Sequence, residues 1–147
     1  MKKRYVPLMT IIILLFIFII VSINNKNKKT YVYEVEDINT NDFMLKDFTM
    51  VSSNHSLFIP NTYYLEKVGN SKARDLSISL THNEKEIMSW ALGFDLDICD
   101  DLGEFFLKDL NINPKDQIAF QMKYTVDGKE EDFYKLIDLN DCVKYSN

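Results

Sequence analysis

An uninterrupted apolar segment covers residues 6–23 and contains no charged side chain. As a helix rising about 1.5 Å per residue, it would be about 27 Å long, close to the bilayer hydrocarbon thickness of about 30 Å. It is apolar around its whole circumference, so a small soluble domain could not cover it. We therefore predict a transmembrane helix over residues 6–23. Basic side chains flank it on both sides: Lys2, Lys3 and Arg4 before it, and Lys26, Lys28 and Lys29 after it.

The same segment could instead be the core of a cleaved export signal, followed by secretion. Cleavage prefers small residues spaced as in Ala-x-Ala, and the best match, residues 20–22, has the bulky Ile20 at the outer position. An uncleaved signal-anchor is therefore favoured. A short basic tail is easier to retain than a folded domain. We predict a single-pass protein of the cell membrane with a cytoplasmic N-terminus and an extracytoplasmic C-terminal domain.

Charge divides the chain into unequal parts. Residues 1–5 form a basic tail, residues 24–30 a polar linker and residues 31–147 one domain of ordinary size. Residues 30–147 contain 11 basic and 22 acidic side chains, a net charge of −11. Such a domain repels nucleic acid and favours cationic partners, such as Ca²⁺ or a basic protein surface.

Alternating apolar residues predict that the domain is mainly β. Residues 76–81 alternate most strictly and pair across a polar turn with the more apolar residues 87–94. A second hairpin joins residues 117–126 to residues 133–139 through Asp127-Gly128, a dipeptide suited to a two-residue turn. In its second strand, Phe133, Ile137 and Leu139 share the face expected in the core. Shorter strands are predicted over residues 31–35, 43–51, 57–59 and 63–68.

Residues 98–110 interrupt the β pattern with apolar side chains at helical spacing. Acidic residues stand where this helix would begin, and Asn113-Pro114 follows it, so we predict one short helix. About seven strands and one helix favour a small β-sandwich-like domain. An α+β fold with the helix on one face of a sheet is the alternative.

Five acidic side chains near this predicted helix are the densest group of candidate metal ligands: Asp95, Asp97, Asp100, Asp101 and Glu104. Paired carboxylates can bind Ca²⁺. The spacing does not match an EF-hand, because Cys99 and Phe106 occupy positions that this loop gives to oxygen ligands. Acids at a helix N-terminus are therefore the favoured interpretation, and a Ca²⁺ site is the weaker alternative. No other cofactor is predicted.

Cysteine and histidine give little support for catalysis. Cys99 and Cys142 could form a disulfide outside the cytoplasm, but two buried thiols are favoured, since the composition suggests a low-GC bacterium and such bacteria form few disulfides. His55 and His82 fall in predicted loops, where we expect them to be solvated, and neither has further ligands at zinc spacing. No phosphate-binding loop or G-x-S-x-G sequence is present. We therefore predict no enzymatic activity, and a surface hydrolase is the least favoured alternative.

The sequence favours a membrane-anchored binding module that contacts another protein. Pro60 interrupts strand pairing and predicts a sheet edge suited to docking an extended partner. A Ca²⁺- or carbohydrate-binding cell-surface domain is the alternative, because Trp90, Tyr63 and Tyr64 could stack on a sugar. However, Trp90 lies in an apolar strand and is expected in the core. The two tyrosines point to opposite faces, so at most one is exposed.

Overall fold

The computed structural model describes residues 15–17, 29–70, 72–92, 98–99 and 102–146. Residues 15–17 are helical with exposed side chains, and the rest of the predicted membrane segment, residues 6–23, lies outside the described residues. Within the described ranges, no helix is both long enough and apolar enough to cross a bilayer. The membrane anchor therefore stays a prediction.

The fold is mainly β, with 62% strand and antiparallel sheets. The described strands, in chain order, are β1 (Thr30–Glu34), β2 (Ile38–Asn39), β3 (Phe43–Lys46), β4 (Thr49–Ser53), β5 (Ser56–Ile59), β6 (Tyr64–Lys67), β7 (Ala73–His82), β8 (Lys85–Leu92), β9 (Ile98–Cys99), β10 (Phe105–Lys108), β11 (Gln117–Val126), β12 (Lys129–Asp138) and β13 (Val143–Ser146). A short helix, Leu139–Cys142, lies between β12 and β13.

Three sheets contribute their buried faces to one hydrophobic core. A five-stranded sheet has the order β10-β5-β4-β1-β13, and a four-stranded sheet has the order β2-β3-β6-β9. A second four-stranded sheet, here called the hairpin sheet, has the order β12-β11-β7-β8. Fully buried side chains of the core come from all three sheets: Tyr33, Met50 and Leu57; Phe43, Leu45 and Leu65; Ile78, Leu80 and Phe120.

Both predicted hairpins are confirmed and together form the hairpin sheet. β7 pairs with β8 through Asn83 and Glu84, and β11 pairs with β12 through Asp127 and Gly128. All four turn residues have positive φ, between 46° and 82°. This backbone matches the right-handed twist of the strands, and glycine reaches it without steric cost.

The helix predicted over residues 98–110 is wrong. Residues 98–99 form β9, which pairs with β6, and residues 105–108 form β10, which pairs with β5. Gly103 (φ 82°) and Asp109 (φ 57°) bracket β10 in left-handed backbone that a continuous right-handed helix does not contain. The described domain places its short helix at Leu139–Cys142 instead. There the Asp138 carboxylate accepts a hydrogen bond from the Asn140 N–H at 3.0 Å.

The edge predicted at Pro60 is also wrong. The strand before it, β5, lies between β4 and β10, and the strand after it, β6, lies between β3 and β9. Pro60 follows Ile59, the last paired residue of β5, so its missing N–H removes no hydrogen bond from the ladder. The outermost described strands are β10 and β13, β2 and β9, and, in the hairpin sheet, β8 and β12.

Candidate binding face on the hairpin sheet

Two large apolar side chains project together from the outermost strand of the hairpin sheet. Tyr134 is 63% exposed and Leu136 is 50% exposed. They lie two residues apart on β12, so both point to the same face. Elsewhere in described residues 29–146, the large exposed apolar side chains are Val68 and Phe106, which belong to different parts of the fold. The Tyr134–Leu136 pair is therefore the densest exposed apolar feature of the described domain.

Alternation along β12 explains why these two side chains face outward. Phe133 and Ile137 point to the opposite face and pack into the core, as the sequence predicts. The ring of Phe133 meets the ring of Phe120 edge-on, with centroids 6.3 Å apart. Because side chains alternate along a strand, burying Phe133 and Ile137 turns Tyr134 and Leu136 outward.

Small and uncharged side chains surround the pair on the neighbouring strands. Leu136 stands opposite Ala119 of β11, and Ala119 stands opposite Thr81 of β7. Tyr134 stands opposite Gln121. Ala119 and Thr81 are too short to cover Leu136, and the Gln121 amide is hydrogen-bonded to Asp132. We call Thr81, Ala119, Gln121, Tyr134 and Leu136 the binding face.

A surface cleft of about 540 Å³ opens beside the binding face. Tyr134, Leu136, Ala119 and Thr81 form its apolar side. Its polar side comes from the β7–β8 turn and the segment before β11: Asn83, Glu84, Lys115, Asp116 and Gln117. A ligand seated there would contact apolar and hydrogen-bonding groups together, which is typical of recognition surfaces.

Beyond Tyr134, the same face of β12 becomes acidic. Asp132 and Glu130 continue the row of outward side chains toward the β11–β12 turn, and both are exposed. Asp132 accepts hydrogen bonds from the Gln121 amide at 2.9 and 3.0 Å and lies 3.7 Å from the Lys123 ammonium group. Asp75 and Glu131 add further acids beside a second cleft of about 470 Å³. On this face, the apolar Leu136 and Tyr134 are thus followed, toward the β11–β12 turn, by the acidic Asp132 and Glu130.

His82 connects the polar side of the first cleft to the interior. It is the last residue of β7 and only 6% exposed, so the expected solvated histidine is wrong. Its Nε2 lies 3.2 Å from Oδ2 of Asp116 and 3.3 Å from the Asn83 amide nitrogen. The inward alternation of Leu76, Ile78 and Leu80 continues to His82, and this pattern was the signal in the sequence.

The Asp116 carboxylate is held in place by the backbone that precedes β11. Its Oδ2 accepts the Asn113 N–H at 2.9 Å, while the Asp116 N–H donates to the Asn113 carbonyl at 3.0 Å. The Asp116 carbonyl accepts the Leu139 N–H at 3.1 Å. Asp116 therefore fixes the segment before β11, pairs with His82 and lines the cleft.

Two further polar side chains are buried near this end of the core. The Ser52 hydroxyl donates to the Ile112 carbonyl at 2.8 Å. The Tyr33 hydroxyl is buried without a hydrogen-bond partner. Burial raises the pKa of Tyr33 well above its usual range, with smaller contributions from Tyr31 and Asp116.

Most of the acidic residues predicted as a candidate Ca²⁺ site lie outside the described residues: Asp95, Asp97, Asp100 and Asp101. Glu104 is described and is exposed just before β10. Within the described ranges, no group of three or more His, Cys, Asp or Glu is arranged to hold a metal ion. The Ca²⁺ site at these five residues stays a prediction.

The two cysteines lie on different elements. Cys142 ends the short helix Leu139–Cys142 as a partly buried free thiol. Burial raises the pKa of this thiol, and the negative charges of Asp141 and Glu36 raise it further. The backbone of Cys99 lies opposite Leu65 in the β6–β9 pair, and its side chain is outside the described part of the chain. The Cys142 thiol is free in the described structure, and its disulfide with Cys99 stays the less favoured alternative of the sequence.

The aromatic residues considered for sugar stacking pack mostly inward. Tyr63 is buried, and its hydroxyl donates to the Gly103 carbonyl at 2.9 Å. Trp90 is partly buried, with its ring centroid 6.1 Å from that of Tyr63 and 5.7 Å from that of Phe105. Tyr64 points the other way, with the Lys46 ammonium group 5.7 Å from its ring centroid. The expected core position of Trp90 is confirmed.

The described surface thus offers one face on which apolar and hydrogen-bonding side chains converge. Tyr134 and Leu136 provide the apolar contacts, and Asp116 and its neighbours provide the polar ones. Comparison of the chain with protein-family models, with curated proteins and with solved structures finds no match in any of the three.

Proposed function

We propose that residues 31–147 form a β-sandwich-like binding module that residues 6–23 hold at the outer surface of a bacterial cell membrane. The module binds a protein partner through the binding face. The observation that carries this proposal is the exposed Tyr134–Leu136 pair beside a cleft with polar walls. Aromatic and large aliphatic side chains at the centre of an interface, surrounded by polar groups, supply most of the binding energy in typical protein complexes.

Charge supports a basic partner. The net charge of −11 over residues 30–147 attracts positive surfaces and speeds encounter with them. Acidic side chains also border the binding face at both ends, with Glu84 and Asp116 at one end and Glu130 and Asp132 at the other. A partner with apolar side chains between basic ones would match both features.

Site-specific photo-crosslinking tests the proposal in intact cells. A photoreactive phenylalanine analogue replaces Leu136 in the full-length chain, and the same analogue replaces Phe106 as the control. Phe106 is comparably exposed but lies on β10 of the five-stranded sheet. We expect position 136 to crosslink one basic protein that position 106 does not. Equal crosslinking at both positions, or none at 136, would contradict the proposal.

Carbohydrate binding is the second candidate for the same face. The Tyr134 ring is exposed beside the amides of Asn83 and Gln117, and an aromatic ring next to hydrogen-bonding side chains can hold a sugar. A Leu136→Ser substitution separates the two candidates, since sugar stacking depends on Tyr134 and a protein interface needs both side chains. Loss of the crosslinked protein's binding in Leu136→Ser would favour the protein interface, whereas binding of a sugar that Leu136→Ser leaves unchanged would favour the carbohydrate candidate.

A further inference from the structure

β12 is an outermost strand along ten residues. It pairs with β11 from Lys129 to Asp138, and none of the strands in the described ranges pairs with its other side. An edge strand leaves a row of backbone N–H and C=O groups available to another extended chain. Tyr134 and Leu136 lie within this row, so the exposed apolar pair and the open backbone belong to the same strand.

The phase of the β11–β12 ladder identifies which backbone groups face outward. The residues that flank the two-residue turn, Val126 and Lys129, are directly opposite and form a hydrogen-bonded pair. Hydrogen-bonded and non-hydrogen-bonded pairs alternate along an antiparallel ladder. The N–H and C=O groups of Glu130 therefore point away from β11, and so do those of Asp132 and of every second residue after it.

The outward backbone groups and the exposed side chains come from the same residues. Four residues provide open backbone hydrogen-bonding groups: Glu130, Asp132, Tyr134 and Leu136. Their side chains point to the same side of the sheet as the binding face. Residues of an added strand that pair with these four would place their own side chains on that face, since directly opposite residues share a face. Backbone pairing would thus place every second side chain of the added strand directly opposite one of these four side chains.

We infer that β12 binds an extended basic segment of the partner as an additional antiparallel strand. This inference rests on the proposed function and names the chemistry of the partner. Antiparallel pairing matches the rest of the sheet and is slightly more stable per residue than parallel pairing. Read from its N-terminus, the partner segment begins with two apolar residues, the first opposite Leu136 and the second opposite Tyr134. Two basic residues follow, the first opposite Asp132 and the second opposite Glu130. One further residue separates each of these positions from the next.

Charge favours this occupant over a second copy of the same chain. A second copy would bring its own β12, with four acidic and two basic side chains, and its own net charge of −11 against the first. Acidic side chains on an edge strand oppose such self-pairing. They attract a strand that carries Lys or Arg at the matching positions.

Peptide binding to the full-length chain in detergent micelles tests the order of residues in the segment. The probe is Leu-Thr-Leu-Thr-Lys-Thr-Lys with a fluorescent label, and the control is the reversed peptide, Lys-Thr-Lys-Thr-Leu-Thr-Leu, which has the same composition. We expect the forward peptide to bind about tenfold more tightly, because the reversed peptide places its lysines opposite Tyr134 and Leu136. Equal affinities, or binding of neither peptide, would overturn the inference.

Backbone methylation of the peptide tests strand pairing without changing the protein. N-methylation at the four Leu and Lys positions removes the amides that would pair with β12, whereas N-methylation at the Thr positions removes amides that point away. We expect the first change to abolish binding and the second to leave most of it. If both peptides lose affinity equally, β12 does not pair with the segment.

A charge reversal gives the matched protein variant. Glu130→Lys should lower the affinity for the forward peptide about threefold. The same variant should recover affinity for a peptide whose C-terminal Lys is replaced by Glu. Sedimentation of the protein without peptide reports self-association, and a dimer that Glu130→Lys alters would make a second copy the occupant instead.

Two outcomes separate this inference from the proposed function. If a partner crosslinks at position 136 but the forward and reversed peptides bind equally well, strand addition alone is overturned. Absence of that crosslink would overturn the proposed function itself.

Discussion

The imidazole Nε2 of His82 lies 3.2 Å from the carboxylate Oδ2 of Asp116, at the boundary between the core and the cleft of the hairpin sheet. His82 is buried and Asp116 is partly exposed, so the pair joins the interior to the proposed site. Nε2 carries a proton when it donates to Asp116, and it carries a lone pair when it accepts from the Asn83 amide. The two contacts therefore correspond to different tautomers of His82.

Asp116→Ala should destabilise the domain. The substitution removes the acceptor of the exposed Asn113 N–H and of the buried His82 Nε2. Leaving a buried donor without an acceptor costs about 1–3 kcal/mol. Urea unfolding measures the change, with Lys115→Ala as the control because Lys115 is the exposed neighbour. A free energy of unfolding that is the same for both variants would show that the Asp116 contacts do not stabilise the fold.

Tyr33→Phe should preserve stability or increase it by up to about 1 kcal/mol. The Tyr33 hydroxyl is buried without a partner, so its removal relieves a desolvation cost. Tyr63→Phe is the matched control, because it removes a hydrogen bond to the Gly103 carbonyl and should cost about 1 kcal/mol. Urea unfolding at neutral pH compares the two. If both variants lose the same unfolding free energy, the Tyr33 hydroxyl has a hydrogen-bond partner in solution.

The raised pKa of Tyr33 also predicts a dependence on pH. The folded state holds the phenolic proton more tightly than the unfolded state does, so this contribution to stability is complete below the unfolded pKa of about 10. It is lost as the pH rises from there toward the folded pKa. Wild type should therefore lose more unfolding free energy than Tyr33→Phe does between neutral pH and pH above about 10. Parallel losses would contradict the raised pKa.

The parts of the fold that the sequence predicts are those determined by neighbouring residues. The alternation of β7 and the Asp127-Gly128 turn specify both hairpins locally, without reference to the rest of the chain. β10 is different, because its partner is the distant strand β5 and its apolar side chains also fit a helical spacing. The spacing of these side chains fits both a helix and a strand, and the pairing of Phe105 with Ile59 shows that the segment is a strand.

The candidate site was only partly predictable for the same reason. Assigning Phe133 and Ile137 to the core already directs Tyr134 and Leu136 outward. That β12 is an outermost strand, and that Thr81 and Ala119 lie beside it, follows from the order of strands in the sheet. The sequence contains no local signal for that order.

Cys142 should react slowly with thiol reagents at neutral pH. Its raised pKa lowers the fraction of thiolate, which is the reactive form. Labelling with iodoacetamide as a function of pH measures this in a Cys99→Ser background, so that only one thiol reacts. Asp141→Asn removes a neighbouring negative charge and should lower the pKa and speed the reaction. An unchanged pH profile in Asp141→Asn would contradict this contribution of Asp141.

Residues 6–23 should retain the protein in the membrane fraction. Deleting residues 1–29 removes the apolar segment together with its basic flanks, and the remaining chain, with a net charge of −11, should move to the aqueous fraction. Protease added to intact cells should degrade the anchored domain, because the domain is expected outside the cytoplasm. Protection from protease until the cells are lysed would reverse the predicted orientation.

Adjacent residues of β12 should separate stability from binding. Phe133 packs against Phe120 in the core, whereas Tyr134 is exposed. Phe133→Ala should therefore cost about 2–3 kcal/mol of unfolding free energy, somewhat less than for a fully buried phenylalanine. Tyr134→Ala should change it by less than about 0.5 kcal/mol while abolishing crosslinking from position 136. If Tyr134→Ala unfolds the domain as readily as Phe133→Ala, Tyr134 serves the fold, and the exposed pair is not a surface kept for a partner.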